Sequence, residues 1–186
     1  MEFRPGDALL VVDMQNDFCP GGALGVPEGD RIIPELNELM ARAARLNIPI
    51  FVTRDWHPQN HVSFRDRGGI WPVHCVRETR GAAFHPDLKV PAGAAVISKA
   101  THPDKESYSA FGDTDLAERL RALKVRRLWV GGLALDYCVK ESALDGQKLG
   151  FEIHVLRNLA RAVNVKPGDD RLAVVEMSRA GVVIEP

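Results

Sequence analysis

Cys138 stands in the run VGGLALDYCVK, residues 130–140, where an apolar stretch passes through two glycines into a helical pattern. A cysteine so placed is either a small buried thiol or a nucleophile. The thiolate is the reactive form, and a helix N-terminus together with a nearby ammonium favours it. Two further residues could complete such a site: Asp13, which closes the first apolar run, ALLVV, and Lys99, near the end of the run AVISK. A carboxylate beside the thiol can take its proton and later hand it to a leaving amine. Taken singly, Asp13 reads as a turn or capping aspartate, Lys99 as a solvated lysine and Cys138 as an inert thiol. Their shared position, each following a strand-like run at the same end, is what points to a triad. Backbone amides near Ala134 and Cys138 could then form an oxyanion hole, while Gly131 and Gly132 also read simply as a strand-end turn.

A second group lies between the first and third of these residues. RDWHPQNH supplies Asp55, His57 and His61, and WPVHC adds His74. If Asp55 ends a strand, Asp55 and His57 point the same way along an extended segment and can share one metal. A carboxylate with imidazoles suits one divalent transition metal, Zn, Fe or Mn, with positions left open for water or substrate. Any one of these histidines is more simply a hydrogen-bonding loop residue; it is their clustering beside a strand end that indicates a metal. Histidines 85, 102 and 154 lie outside the cluster.

The elements that must hold these residues alternate. Short apolar runs predict strands at 8–13, 48–55, 94–100, 127–133, 151–157 and 181–185, and helical spacing predicts helices at about 31–46, 116–124, 137–149 and 171–180. Ile32, Ile33, Leu36, Leu39, Met40 and Ala43 would share one face of the first helix. Asp113 or Thr114 would cap the second, Gly150 would stop the third, and Asp169 or Asp170 would cap the fourth. The runs are nearly continuous, as in strands covered on both faces, so the expectation is a mostly parallel six-stranded sheet in a three-layer α/β/α fold. Ligands of such sheets bind outside the carboxyl ends of the strands, where all the candidates fall. The irregular stretch 54–91, rich in Pro, Gly, His and Trp, is too long for a routine connection and reads as a functional elaboration.

With 186 residues the chain suits a single domain, 1–186, and needs no disulfide to fold. A net charge of -1 with no run of Lys or Arg argues against nucleic acid as a partner. The first apolar run is too short for a membrane span and nothing before it resembles a signal peptide, so neither a membrane partner nor export is expected; a cytoplasmic setting is. Cysteines 19, 75 and 138 show neither CxxC spacing nor an even count, which argues against a disulfide framework.

In order along the chain, VVDMQNDFCPGGAL, TRDWHPQNHVSF, WPVHCV, GAAFHPDL, SYSAF and GLALDYCVKESALDG resemble the nicotinamidase/pyrazinamidase group of the isochorismatase-like cysteine hydrolases. The resemblance implies hydrolysis of nicotinamide, and of pyrazinamide, to the acid and ammonia. It places a catalytic triad on Asp13, Lys99 and Cys138, and metal ligands on Asp55, His57 and His74, with His61 a ligand in some members and a neighbour in others. It also implies a substrate ring held between Phe18 and Trp71, and a cis peptide between Leu133 and Ala134 aiming the amides of Ala134 and Cys138 at the oxyanion. The chain departs from the family at Leu135, where Thr is usual, at Ala100, where Gly is common, and in RNLARAVN, which lacks an acidic-cysteine stretch. Tyr108 and Phe111 in SYSAF read as core packing. The competing readings are a metal-independent sibling amidohydrolase acting on another amide or an N-carbamoyl compound, and a non-catalytic metal-binding protein. The small-molecule substrate is the expected partner, and homo-oligomerisation is left open.

Overall fold

The computed structural model describes residues 2–186. Six strands, β1 (Asp7–Val12), β2 (Ile50–Asp55), β3 (Ala95–Lys99), β4 (Arg127–Leu133), β5 (Glu152–Arg161) and β6 (Val183–Glu185), form one parallel sheet in the order β3-β2-β1-β4-β5-β6. The order reverses between β1 and β4, which opens a crevice at their carboxyl ends. Four helices cover the sheet: α1 (Ile33–Arg45), α2 (Leu116–Ala122), α3 (Lys140–Lys148) and α4 (Asp169–Arg179).

The two-residue period of a strand decides which layer each side chain joins. From β1, Ala8, Leu10 and Val12 pack with Leu116 and Leu120 of α2, Ala143 and Leu144 of α3 and Met177 of α4. Leu9 and Val11 face the other way, against Leu36, Leu39, Met40 and Ala43 of α1. All six residues expected on the inner face of the first helix are buried, although Ile32 belongs to a 3-10 turn, Gly29–Ile32, that precedes it. Burying each large aliphatic side chain contributes about 1.5–3 kcal/mol, so these two cores dominate the stability.

Several local expectations are corrected. β5 runs on to Arg161 because a register shift carries it past exposed Asn158 and lets Leu159 and Ala160 rejoin the core, with Ala160 opposite Gly132. Gly132 is no strand-end turn: it lies within β4 at φ +122°, and a Cβ there would fall 2.1 Å from the Val12 carbonyl oxygen, which only glycine permits. Helix α4 follows Gly168, not an aspartate cap; Asp169 and Asp170 occupy its first turn, where their charge suits the helix dipole. The residue before α2 is Asp115; of the two expected caps, Thr114 does accept the Leu116 amide on Oγ1 at 3.3 Å, while Asp113 pairs with Lys105. Gly150, at φ +90°, does follow α3 as a left-handed stop.

At the amino end of the sheet, Asp7 accepts two hydrogen bonds from Arg127, at 2.8 and 2.7 Å, and one from Trp129 Nε1 at 3.1 Å. Burial opposes the charge on Asp7, but these donors and the Arg4 amide outweigh it and hold its carboxyl below the ordinary range. Its stabilising contribution is therefore complete above the ordinary carboxylate range and is lost as the pH falls through the depressed folded value. Asp7→Asn is expected to cost about 2–3 kcal/mol in denaturant unfolding at neutral pH, with the difference from the parent shrinking toward pH ~3.

Candidate active site

The carboxyl ends of β1 to β4 bring Asp13, Asp55, Lys99 and Cys138 together, all of them buried. Asp13 leaves β1 in the left-handed region, at φ 47°, and its backbone amide donates to the Thr53 carbonyl at 3.2 Å. Thr53 Oγ1 donates to Asp13 Oδ1 at 2.6 Å, which leaves Oδ2 facing the site. Lys99, the last residue of β3, is fully enclosed, with Nζ 3.0 Å from Asp13 Oδ2, 3.4 Å from Cys138 Sγ and in direct contact with Asp55 Oδ1. The lysine is thus no solvated surface residue. Cys138 sits in a π-helical turn, Leu135–Val139, rather than in the first turn of α3, and the turn is wound by bonds from the Tyr137 and Val139 amides to the Ala134 carbonyl.

The electrostatics follow from enclosure. Burial works against the Lys99 ammonium, but Asp13 and Asp55 outweigh it and push its pKa well above the ordinary lysine value, so it is a fixed cation. Burial raises the proton affinity of Asp13, and the proximity of Lys99 offsets this only in part. Burial also pushes the Cys138 thiol up, against the pull of Lys99. The resting pair is a neutral thiol beside a carboxylate with raised affinity for its proton, the starting state for a general base. Cys19, pushed up to about 11 by burial, and Cys75, raised by burial and then by Asp55, share the direction, but neither sulfur has a contact like that of Cys138 Sγ with Lys99 Nζ at 3.4 Å, so contact geometry rather than thiol acidity singles out Cys138.

Asp55, His57 and His74 form the metal-competent group, each offering a donor atom within 4.8 Å of the others. His57 Nδ1 faces the Ala100 carbonyl at 3.3 Å and His74 Nδ1 the Pro72 carbonyl at 2.7 Å, which assigns the proton to Nδ1 in each ring and leaves Nε2 as a lone-pair donor. His57 Nε2 is buried without a hydrogen-bond partner, 3.5 Å from Asp55 Oδ2. An orphaned imidazole nitrogen facing a carboxylate oxygen fits a divalent cation between them. Burial keeps His74 below the ordinary histidine value, hence neutral as a ligand must be. Burial opposes the charge on Asp55, but the Lys99 ammonium in contact with it outweighs this and holds its carboxyl below the ordinary range. His61 does not join the three: its nitrogens are taken by Ser63 Oγ at 2.7 Å and the Lys105 carbonyl at 3.1 Å, so it stacks beside His57 as a neighbour.

A cavity of about 30 Å³ adjoins both groups, walled by Phe18, Trp71, His74, Tyr108, Tyr137 and Cys138 among others. Its aromatic walls suit the faces of a small planar ring. Tyr108 packs against the core as expected and is also a wall residue: its hydroxyl accepts a bond from Trp71 Nε1 at 2.9 Å, and burial lifts its pKa to about 12, so it stays neutral. Tyr137 also lines the cavity, edge-on to Trp71. A buried tyrosine needs a partner for its hydroxyl, and that need was the available hint for Tyr108. Phe111 does pack in the core, stacked on Phe151. The Leu133–Ala134 peptide is cis, and Ala134 lines the cavity next to Cys138.

Ala100 follows Lys99 in the left-handed region, at φ 51°, which explains why glycine would suit this position. Ala100→Gly is expected to raise stability by up to about 1 kcal/mol, read as an increased thermal midpoint, because a Cβ is disfavoured at such φ.

The isochorismatase domain family matches residues 7–185. An Escherichia coli (strain K12) nicotinamidase is 41% identical, over 97% of this chain and 94% of its own length. The crystal structure of the pyrazinamidase of Pyrococcus horikoshii in complex with zinc superposes with a TM-score of 0.93 at 51% identity, covering 97% of this chain and 99% of that one. An L. infantum protein solved in complex with nicotinate gives a TM-score of 0.89 at 36% identity, covering 97% and 92%.

Proposed function

This chain belongs to the isochorismatase domain family, and within it we propose that it is a nicotinamidase, hydrolysing nicotinamide, and also pyrazinamide, through a thioester on Cys138. The observation that carries the reading is the convergence of Asp13, Lys99 and the Cys138 thiol beside the Asp55, His57 and His74 group, around one aromatic-walled cavity. Nicotinamidases at 35–41% identity and the zinc and nicotinate complexes of structural relatives support it.

In the proposed reaction Asp13 takes the Cys138 proton and the sulfur attacks the amide carbon. The amides of Ala134 and Cys138 receive the oxyanion; each such donor elsewhere lowers the barrier by about 3–4 kcal/mol. Asp13 returns the proton to the departing nitrogen, so ammonia leaves and the acyl group remains on sulfur. Asp13 then takes a proton from water, the oxygen attacks the thioester, and the acid leaves as the thiol is restored. Lys99 keeps the potential at the sulfur positive while the charge forms, and Phe18 and Trp71 hold the ring. A divalent metal on Asp55, His57 and His74 would supply a Lewis acid for the ring nitrogen and so orient the ring. Zinc is the proposed metal, as in the P. horikoshii complex, and the same donors also accept Fe or Mn.

The proposed setting is the cytoplasm, where the three free cysteines stay reduced, and the whole chain is taken to act as one domain; among the described residues no helix is long and apolar enough to cross a membrane.

Ammonia release from nicotinamide by the zinc-loaded protein tests the reading. Turnover of nicotinamide with none of an N-carbamoyl amine supports it; the reverse preference assigns the chain to a sibling hydrolase, and no turnover of either overturns the enzyme reading. Asp55→Ala is expected to lose bound metal in elemental analysis, because it removes the carboxylate donor and leaves two imidazoles.

A further inference from the structure

Gln15 lies two residues beyond Asp13, fully buried, and has no part in the reaction above. Because Asp13 turns the chain away from the sheet, the backbone of β1 stops pairing with β2 at Thr53. The side chain of Gln15 continues the ladder in its place. Its Nε2 donates to the Asp55 carbonyl at 2.8 Å, and its Oε1 accepts the Asp55 amide at 2.8 Å. The second Nε2 hydrogen goes to the Ala82 carbonyl, also at 2.8 Å.

From this arrangement we infer that Gln15 is the positioning residue for Asp55, fixing its backbone so that one carboxylate oxygen meets Lys99 while the other faces His57. The inference rests on the reading of Asp55 as a metal ligand. Asp55 must satisfy two partners on opposite oxygens, Lys99 on Oδ1 and the His57 side on Oδ2. A carboxylate so divided tolerates little backbone drift, since a ligand group must be held within about 0.5 Å of its working position. Only a primary amide of this length fits. Glutamate would have no donor for the Asp55 and Ala82 carbonyls, asparagine is one methylene too short, and methionine fills the space without any of the three bonds.

The test is Co²⁺ titration of metal-free protein for the parent, Gln15→Met, Gln15→Glu and Asp55→Ala, at a temperature where circular dichroism shows each folded. Outer-shell partners of ligating residues are worth about 10–100-fold in metal affinity, and a loss of that size is expected in both Gln15 variants, with an altered visible absorption of the bound Co²⁺. Gln15→Glu keeps the side-chain volume and decides the matter if Gln15→Met does not fold. A folded Gln15 variant with a lowered thermal midpoint but the parent affinity and spectrum would show a merely structural role and overturn the inference. If Asp55→Ala itself binds Co²⁺ as the parent does, the metal reading of Asp55 fails and the role of Gln15 falls with it. If Asp55→Ala loses Co²⁺ and the Gln15 variants do not, only the role of Gln15 fails.

Discussion

Cys138→Ala is expected to lower kcat for nicotinamide by more than about 10⁴-fold, since removing a covalent nucleophile leaves only binding and oxyanion contacts to act on the amide. The substitution takes one sulfur from the cavity wall and touches none of Asp55, His57 and His74, so metal content measured on the same preparation should equal that of the parent. Alanine keeps the helical preference of the turn, and the Ala134 carbonyl still receives the Tyr137 and Val139 amides, so thermal unfolding should change little. The combination of lost turnover, retained metal and retained fold separates a nucleophile from a packing thiol. Cys19→Ala serves as the matched control: its sulfur is buried, pushed up to about 11, and out of reach of the reaction, and its kcat should stay near the parent's.

Asp13→Asn is expected to cost about 10³-fold or more in kcat with KM little changed, a size consistent with loss of a positioned general base. The substitution isolates the proton transfer. Asparagine tolerates the left-handed backbone at this position, and its amide oxygen can still accept the 2.6 Å bond from Thr53 Oγ1. What it cannot do is take the Cys138 proton or balance Lys99. The thiol, already raised by burial, then has no acceptor, and steady-state ammonia release should report the loss. A kcat within tenfold of the parent would move the base elsewhere.

Much of this site is legible in the sequence because its parts are tied to strand ends. Short, near-continuous apolar runs rich in β-branched residues read as strands buried on both faces, and a parallel sheet puts the residues at the ends of its strands on one edge, which is where Asp13, Asp55, Lys99 and Cys138 meet. Residue type alone did not show that Lys99 is enclosed; its burial depends on two carboxylates arriving from β1 and β2. The separation of His61 from the ligand group was equally hidden, being set by Ser63 and a backbone carbonyl, Lys105, far along the chain. Tyr108 and Tyr137 were missed as cavity walls because a lone aromatic carries no periodic signal. The π-helical turn under Cys138 and the bulged course of β5 are decided by tertiary packing rather than local pattern. Gln15 had no signal at all in one sequence, since its importance lies in a ladder that the backbone fails to complete.

The most direct measurement is mass spectrometry of the parent enzyme, acid-quenched during turnover of nicotinamide and digested, in parallel with turnover in hydroxylamine. A nicotinoyl group is expected on the peptide that carries Cys138, with none on those carrying Cys19 or Cys75, and nicotinohydroxamate is expected as a second product when hydroxylamine competes with water for the thioester. Nicotinate formation with no acylated peptide and no hydroxamate at any hydroxylamine concentration would contradict it, because water would then be attacking the amide directly.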